Sequence, residues 1–145
     1  MTHASEKVIE FFDNYAEALH VLDLEVLGSA YGDTFMFAGP AGVQAVKRED
    51  FLKVVPKRQA FFESVGLTST TLQSLEETPL DDDYVLVDAS WNMRFEKELE
   101  LLGLDESSAA TYILRRNDDS FQIVFQLDHQ DLTRRVRELG LLPAT

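Results

Sequence analysis

The chain has 145 residues, no cysteine, and 26 acidic against 13 basic residues, for a formal net charge of −13. Without cysteine there can be no disulfide, no thiolate metal site and no cysteine nucleophile. The acidic balance argues against nucleic acid and against anionic membrane surfaces as partners, since both demand clustered Lys and Arg.

The length suits one domain spanning 1–145, and 45% hydrophobic with 27% charged residues is the composition of a globular one. The opening MTHASEKVIEFF has neither a basic stretch nor a long apolar core, so it is no signal peptide. No apolar run reaches the roughly 20 residues of a membrane span. The expectation is a soluble, cytoplasmic protein.

Ser5 followed by Glu6 reads as a helix N-cap. Val8, Phe11, Phe12, Tyr15, Leu19 and Leu22 then recur at helical spacing as one apolar stripe. Asp23 starts a second, short helix that Gly32 and Asp33 end. Thr34–Ala38 is aromatic and β-prone, and Gly39-Pro40-Ala41-Gly42 breaks it with turn chemistry. A third helix covers Arg48–Val65, with a kink or a split expected at Pro56, which lacks a backbone donor. Gly66 closes it.

Leu67–Glu76 and Tyr84–Phe95 read as two strands joined by the acidic turn between them. The second is the clearest periodic signal in the chain. Val85, Val87, Ala89, Trp91, Met93 and Phe95 alternate with Leu86, Asp88, Ser90, Asn92 and Arg94, which makes one apolar wall and one mostly polar wall. The segment after Phe95 fits either two extended strands or a helical turn. Ala110–Arg116 and Ser120–His129 form another hairpin across Asn117-Asp118-Asp119. In the last strand Phe121, Ile123, Phe125, Leu127 and His129 share one parity, and Gln122, Gln126 and Asp128 the other, with Val124 interrupting. By that parity Asp88 and Asp128 face outward. Asp131–Leu139 is a short amphipathic helix closed by Gly140 and Pro143.

The order of these elements, helices followed by a long antiparallel sheet, resembles the nuclear transport factor two-like fold. Tyr15–Pro40, with Tyr15, Leu19, Asp23-Leu24, Tyr31, Asp33 and Pro40, is similar to the opening of its ketosteroid isomerases and polyketide cyclases. The resemblance implies an α+β cone: a curved antiparallel sheet, a cystatin-like half-barrel, wrapped around N-terminal helices. It also implies a homodimer paired through the outer face of the sheet, around Leu86 and Val124. Tyr15 falls where the isomerases keep an oxyanion-donating tyrosine, and Tyr112 falls near their second donor. Their aspartate base corresponds to Gly39, which cannot accept a proton, so isomerase chemistry by that route is not expected.

Tyr31, Trp91, Met93 and Phe125, with Tyr15 and Tyr112, either line an apolar pocket or fill the core. His129 follows the apolar parity of its strand and is the candidate proton carrier, with Tyr15 and Tyr112 orienting a carbonyl. His20 falls off the apolar stripe of its helix. No metal-ligand spacing, nucleophile motif or cofactor loop occurs, so neither metal nor cofactor is expected. The basic residues Lys47, Arg48, Lys53, Lys57 and Arg58 read mainly as a solvated helix face able to steer an anion. Three functions fit: a binder of a small hydrophobic or carbonyl-containing ligand, an isomerase, cyclase or dehydratase, or a dimerisation module with a filled core.

Overall fold

The computed structural model describes residues 4–96 and 104–138. Helix α1 (Glu6–Val21) begins where the Ser5 side chain accepts the Val8 N–H, and it buries Val8, Phe11, Phe12, Tyr15 and Ala18. Leu22 takes a left-handed conformation, φ 55°, and turns the chain into α2 (Leu24–Ala30). The Asp23 carboxylate caps α2 by accepting from the Val26 N–H at 3.1 Å. Strand β1 (Tyr31–Gly39) follows at once, three residues earlier than its β-prone core suggests. Arg48 holds this corner: its guanidinium donates to the Gly28 and Tyr31 carbonyls and pairs with Asp33 at 2.9 Å.

Strand β2 (Gly42–Lys47) pairs antiparallel with β1 across Pro40-Ala41. Helix α3 (Arg48–Ser64) runs on through Pro56 without splitting. One missing donor does not end a helix whose Val55 and Phe62 are fixed in the interior. Strands β3 (Leu67–Pro79), β4 (Tyr84–Phe95), β5 (Leu104–Asn117) and β6 (Ser120–Asp128) complete the sheet, and α4 (Leu132–Glu138) ends the described chain. The expected closure of that helix by Gly140 and Pro143, and most of the ambiguous segment after Phe95, lie outside the described residues. Of that segment Leu104–Ser108 is strand and Glu96 lies just beyond β4.

The sheet has the order β2-β1-β6-β5-β4-β3. It is curved and unclosed, and antiparallel throughout except where β1 lies parallel to β6. The apolar wall of β4 behaves as its alternation predicts: Val85, Val87, Ala89, Trp91, Met93 and Phe95 are all buried. They pack with α1, α2 and α3 residues into an aromatic-rich core. Phe12 meets Tyr112 edge-on, and Tyr31 lies between Phe35 and Phe51.

Register shifts occur in β3, between Leu67 and Ser69 and between Leu72 and Ser74, and the one that bears on the site is in β6. Leu114 pairs with Ile123 but Ile113 pairs with Phe125, so Val124 is an extra residue with no partner on β5. Such a bulge exchanges the faces of every residue after it. Phe121 and Ile123 point into the core, while beyond Val124 it is Gln126 and Asp128 that point in, opposite Tyr112 and Ala110. Phe125, Leu127 and His129 are turned to the outer side.

Candidate functional site

The helices do not fill the concave side of the sheet. A cavity of ≈ 490 Å³ remains between α1, α3 and the sheet, touched by all six strands, with Phe51, Phe62, Trp91 and Met93 among its apolar walls. A cavity of this size suits a small organic ligand held by a few placed polar groups. Polar residues enter its lining from both helices and from β2–β6, and the central ones are Tyr15 on α1, Arg58 on α3, Trp91 on β4, Tyr112 on β5, and Gln126 and Asp128 on β6.

The tyrosines form one network. The Tyr15 and Tyr31 hydroxyls lie 2.7 Å apart, Tyr31 donates to Gln126 Oε1 at 2.7 Å, and Gln126 Nε2 donates to Asp128 Oδ1 at 3.0 Å. Proton inventory fixes the direction of the chain. A carboxylate only accepts, so Asp128 draws the Gln126 amide nitrogen and leaves its oxygen facing Tyr31. Tyr31 has a single hydrogen and gives it to Gln126, so the Tyr15 hydroxyl must donate to Tyr31. Tyr15 therefore offers lone pairs, not a proton, to its other neighbours.

Tyr112 and Trp91 complete the site differently. Their polar atoms come near enough to each other, and Tyr112 to Tyr15, to influence ionisation. Among the described residues, however, no buried side-chain nitrogen or oxygen lacks a hydrogen-bond partner. Trp91 Nε1 points at the Tyr112 oxygen and the Tyr112 hydroxyl at Tyr15, contacts too weak to count as full hydrogen bonds but close enough to act on ionisation, and both residues line the cavity. A ligand oxygen that accepts from both would compete only with these weak contacts.

All three buried phenols resist ionisation. Burial pushes Tyr15 up to about 12, although the Tyr31 hydroxyl favours its anion. Burial likewise carries Tyr31 and Tyr112 well above the ordinary phenol range, with neighbouring tyrosines and Asp128 adding to the rise. At neutral pH the buried phenols of the site stay protonated, with the Asp128 side chain beside them.

Of the residues anticipated from the sequence, Tyr15, Tyr112, Trp91 and Met93 line the cavity. Tyr31 sits behind it, fully buried, and reaches it through Tyr15 and Gln126. His129 and Phe125 are not brought to it. His129 is exposed on the outer side, with its Nε2 2.7 Å from the Thr111 hydroxyl, which donates to Asp88 Oδ1 at 2.6 Å. Both displacements follow from the Val124 bulge. The histidine that does border the cavity is His20 on α1. Sequence reasoning also missed Gln126 and Asp128. Their signal was the apolar triplet Ile123-Val124-Phe125, which breaks the alternation at the residue that bulges. Among the described residues no group of three His, Asp or Glu is placed to hold a metal ion. No helix there is long and apolar enough to cross a membrane.

Solved structures share this architecture. Aln2 from a Streptomyces species is 14% identical with a TM-score of 0.72, over 94% of this chain and 100% of that one. An NTF2-like protein with a cystatin-like fold from Novosphingobium aromaticivorans is 15% identical with a TM-score of 0.70, over 96% and 88%. A ketosteroid isomerase-like protein from Erwinia carotovora atroseptica is 15% identical with a TM-score of 0.62, over 85% and 92%. At such identities the likeness is one of fold. No curated protein matches the chain. Residues 5–131 match the family described as NTF2-like protein (DUF6841), and the chain belongs to that family.

Proposed function

We propose that this protein binds a small, mostly apolar ligand in the cone and holds its carbonyl oxygen between the Tyr112 hydroxyl and the Trp91 indole N–H. The observation that carries this reading is a ≈ 490 Å³ cavity lined by both of these donor-bearing residues beside the apolar side chains of Phe51, Phe62 and Met93. A polar ligand atom that accepts from both would recover hydrogen bonds in a water-poor setting, where they are strong. The size of the cavity supports this reading over a dimerisation module with a filled core.

The test compares 2-acetylnaphthalene with 2-ethylnaphthalene by calorimetry on the native protein and on Tyr112→Phe. The ketone should bind about tenfold tighter, as expected for one or two neutral hydrogen bonds, and Tyr112→Phe should remove most of that preference. Equal binding of ketone and hydrocarbon by the native protein would refute the donor roles.

A second reading, proton transfer next to the carbonyl, is favoured by the inward turn of Asp128. Asp128 would take a proton from carbon, and the C–H electron pair would become the enolate double bond. The charge would collect on the oxygen held by Tyr112 and Trp91, and the proton would return to carbon, so no oxidant or reductant is needed. On this reading Asp128, rather than His129, is the base that Gly39 cannot be. Deuterium exchange into the methyl group of bound 2-acetylnaphthalene, followed by NMR, tests it. Asp128→Asn should slow that exchange by roughly 10²–10⁴, and unchanged exchange would exclude the base role.

A further inference from the structure

The cavity does not end at the tyrosines. A second chamber of ≈ 460 Å³ lies between the β1–β2 turn and the end of β6, and it shares Phe37, Gln44, Arg58 and Asp128 with the inner one. The two chambers thus meet at a neck with Arg58 on one side and Asp128 on the other. Among the described residues Arg58 is the one Lys or Arg lining either chamber. Its guanidinium lies over the ring of Phe62, 4.9 Å from the centroid, which holds a long side chain in place at the cost of none of its hydrogen bonds.

The neck is also unbalanced. Of the four acids lining the two chambers, Glu63 accepts from Gln59, Asp128 from Gln126 and Asp131 from the Arg134 N–H, and Asp50 stands in the first turn of α3, where the helix dipole favours a negative charge. Arg58 makes neither an ion pair nor a hydrogen bond among the described residues, in a chain with twice as many acids as bases. A guanidinium has five N–H donors in a planar fork that matches a carboxylate. Three of these carboxylates have a donor, and the cation lacks an acceptor among the described residues.

We infer that the ligand is an apolar oxo acid, with its body and carbonyl in the inner chamber and its carboxylate on Arg58 at the neck. This rests on the ligand-binding reading above and adds the charge and the length of the ligand. It also gives the basic face of α3 a use, since Lys53 and Lys57 precede Arg58 on the same helix and would favour approach of an anion.

Two fluorescent probes with the same aromatic body test it: 1-anilinonaphthalene-8-sulfonate, whose sulfonate stands in for the carboxylate, and neutral N-phenyl-1-naphthylamine. Each is titrated into the native protein, Arg58→Gln, Lys57→Gln and Val54→Tyr. Val54 is 54% exposed at the cavity wall, so a bulky ring there obstructs the entrance without burdening the core. The native protein should bind the anion about tenfold or more tighter than the neutral probe, the range of a charge-assisted hydrogen bond. Arg58→Gln should bring the two within about twofold, Lys57→Gln should leave the ratio intact, and Val54→Tyr should block both.

A native ratio near one, or a ratio that Arg58→Gln leaves unchanged, would overturn the inference while leaving the binding reading standing. So would a loss of preference as large in Lys57→Gln, which would point to the general field of the helix. If neither probe binds saturably, or if Val54→Tyr blocks neither, the ligand-binding reading itself falls and takes this inference with it.

Discussion

Replacing Tyr31 by phenylalanine separates the hydrogen-bond network from the packing around it. The ring of Tyr31 is fully buried and packs on Phe35 at 4.6 Å and Phe51 at 4.7 Å, contacts that phenylalanine keeps. The hydroxyl joins Tyr15 and Gln126 at 2.7 Å each. Two buried hydrogen bonds at a net ~1 kcal/mol each, with Gln126 Oε1 left without its donor, give a loss of about 2–3 kcal/mol. For a chain of this length that lowers the melting temperature by roughly 5–10 °C. Tyr112→Phe is the matched control. Its hydroxyl lines the cavity and makes only weak contacts with Trp91 and Tyr15, so its removal should cost less than about 1 kcal/mol. Urea unfolding followed by circular dichroism reads both variants, with a lower midpoint and an unchanged slope expected for Tyr31→Phe. A loss below about 0.5 kcal/mol for Tyr31→Phe, or an equal loss for both variants, would refute the directional network.

Local chemistry elsewhere in the chain sets three further expectations. The Tyr15 phenol has a folded pKa of about 12 against an ordinary 10.0, so the folded state holds this proton more tightly than the unfolded chain. The resulting stability is complete below pH 10 and is lost as pH rises toward 12, at up to ~1.4 kcal/mol per pH unit from this group alone. Tyr31 and Tyr112 act in the same direction. Phenolate absorbance and unfolding should therefore rise together above pH 10, and ionisation of these phenols in a still-folded protein near pH 10 would contradict it. Asp23→Ala removes the cap of α2 and should cost about 1 kcal/mol in denaturant midpoint analysis. Gly66 has φ +107°, and an added Cβ would lie 2.6 Å from the Glu96 carbonyl oxygen. Gly66→Ala should therefore destabilise by roughly 2–4 kcal/mol, the largest loss among these variants, and a neutral result would mean that the turn between α3 and β3 can rearrange.

The parts of this fold that are legible in the sequence are those where one local rule decides. Tyr84–Phe95 alternates without a break because one face meets the core and the other does not, so both its bounds and its inner face read directly. Ser5 and Asp23 announce their helices because their side chains cap them. Strand β2 goes unannounced because it is an edge strand, exposed along almost all its length, and so carries little hydrophobic pattern. The candidate site is half legible for a different reason. Tyr15, Trp91 and Tyr112 stand on elements whose periodicity is unbroken, so their inward direction follows from counting. Gln126 and Asp128 lie beyond Val124, where counting by twos gives the wrong face. A single unpaired residue thus decides whether the last strand offers the cone His129 or Asp128. Arg58 is legible as part of a basic face, but its place at the neck depends on how α3 crosses the open end of the sheet, which no local pattern encodes.

Trp91 is the only tryptophan in the chain and stands in the cavity wall, so its own emission reports on the site. A titration with 2-acetylnaphthalene, followed at selective tryptophan excitation, asks most directly whether the cone accepts a carbonyl ligand beside it. Trp91 emission should change saturably, with an affinity that weakens about tenfold in Tyr112→Phe and is lost in Val54→Tyr. Emission that is unmoved by the ketone, or that responds identically in all three proteins, would contradict it.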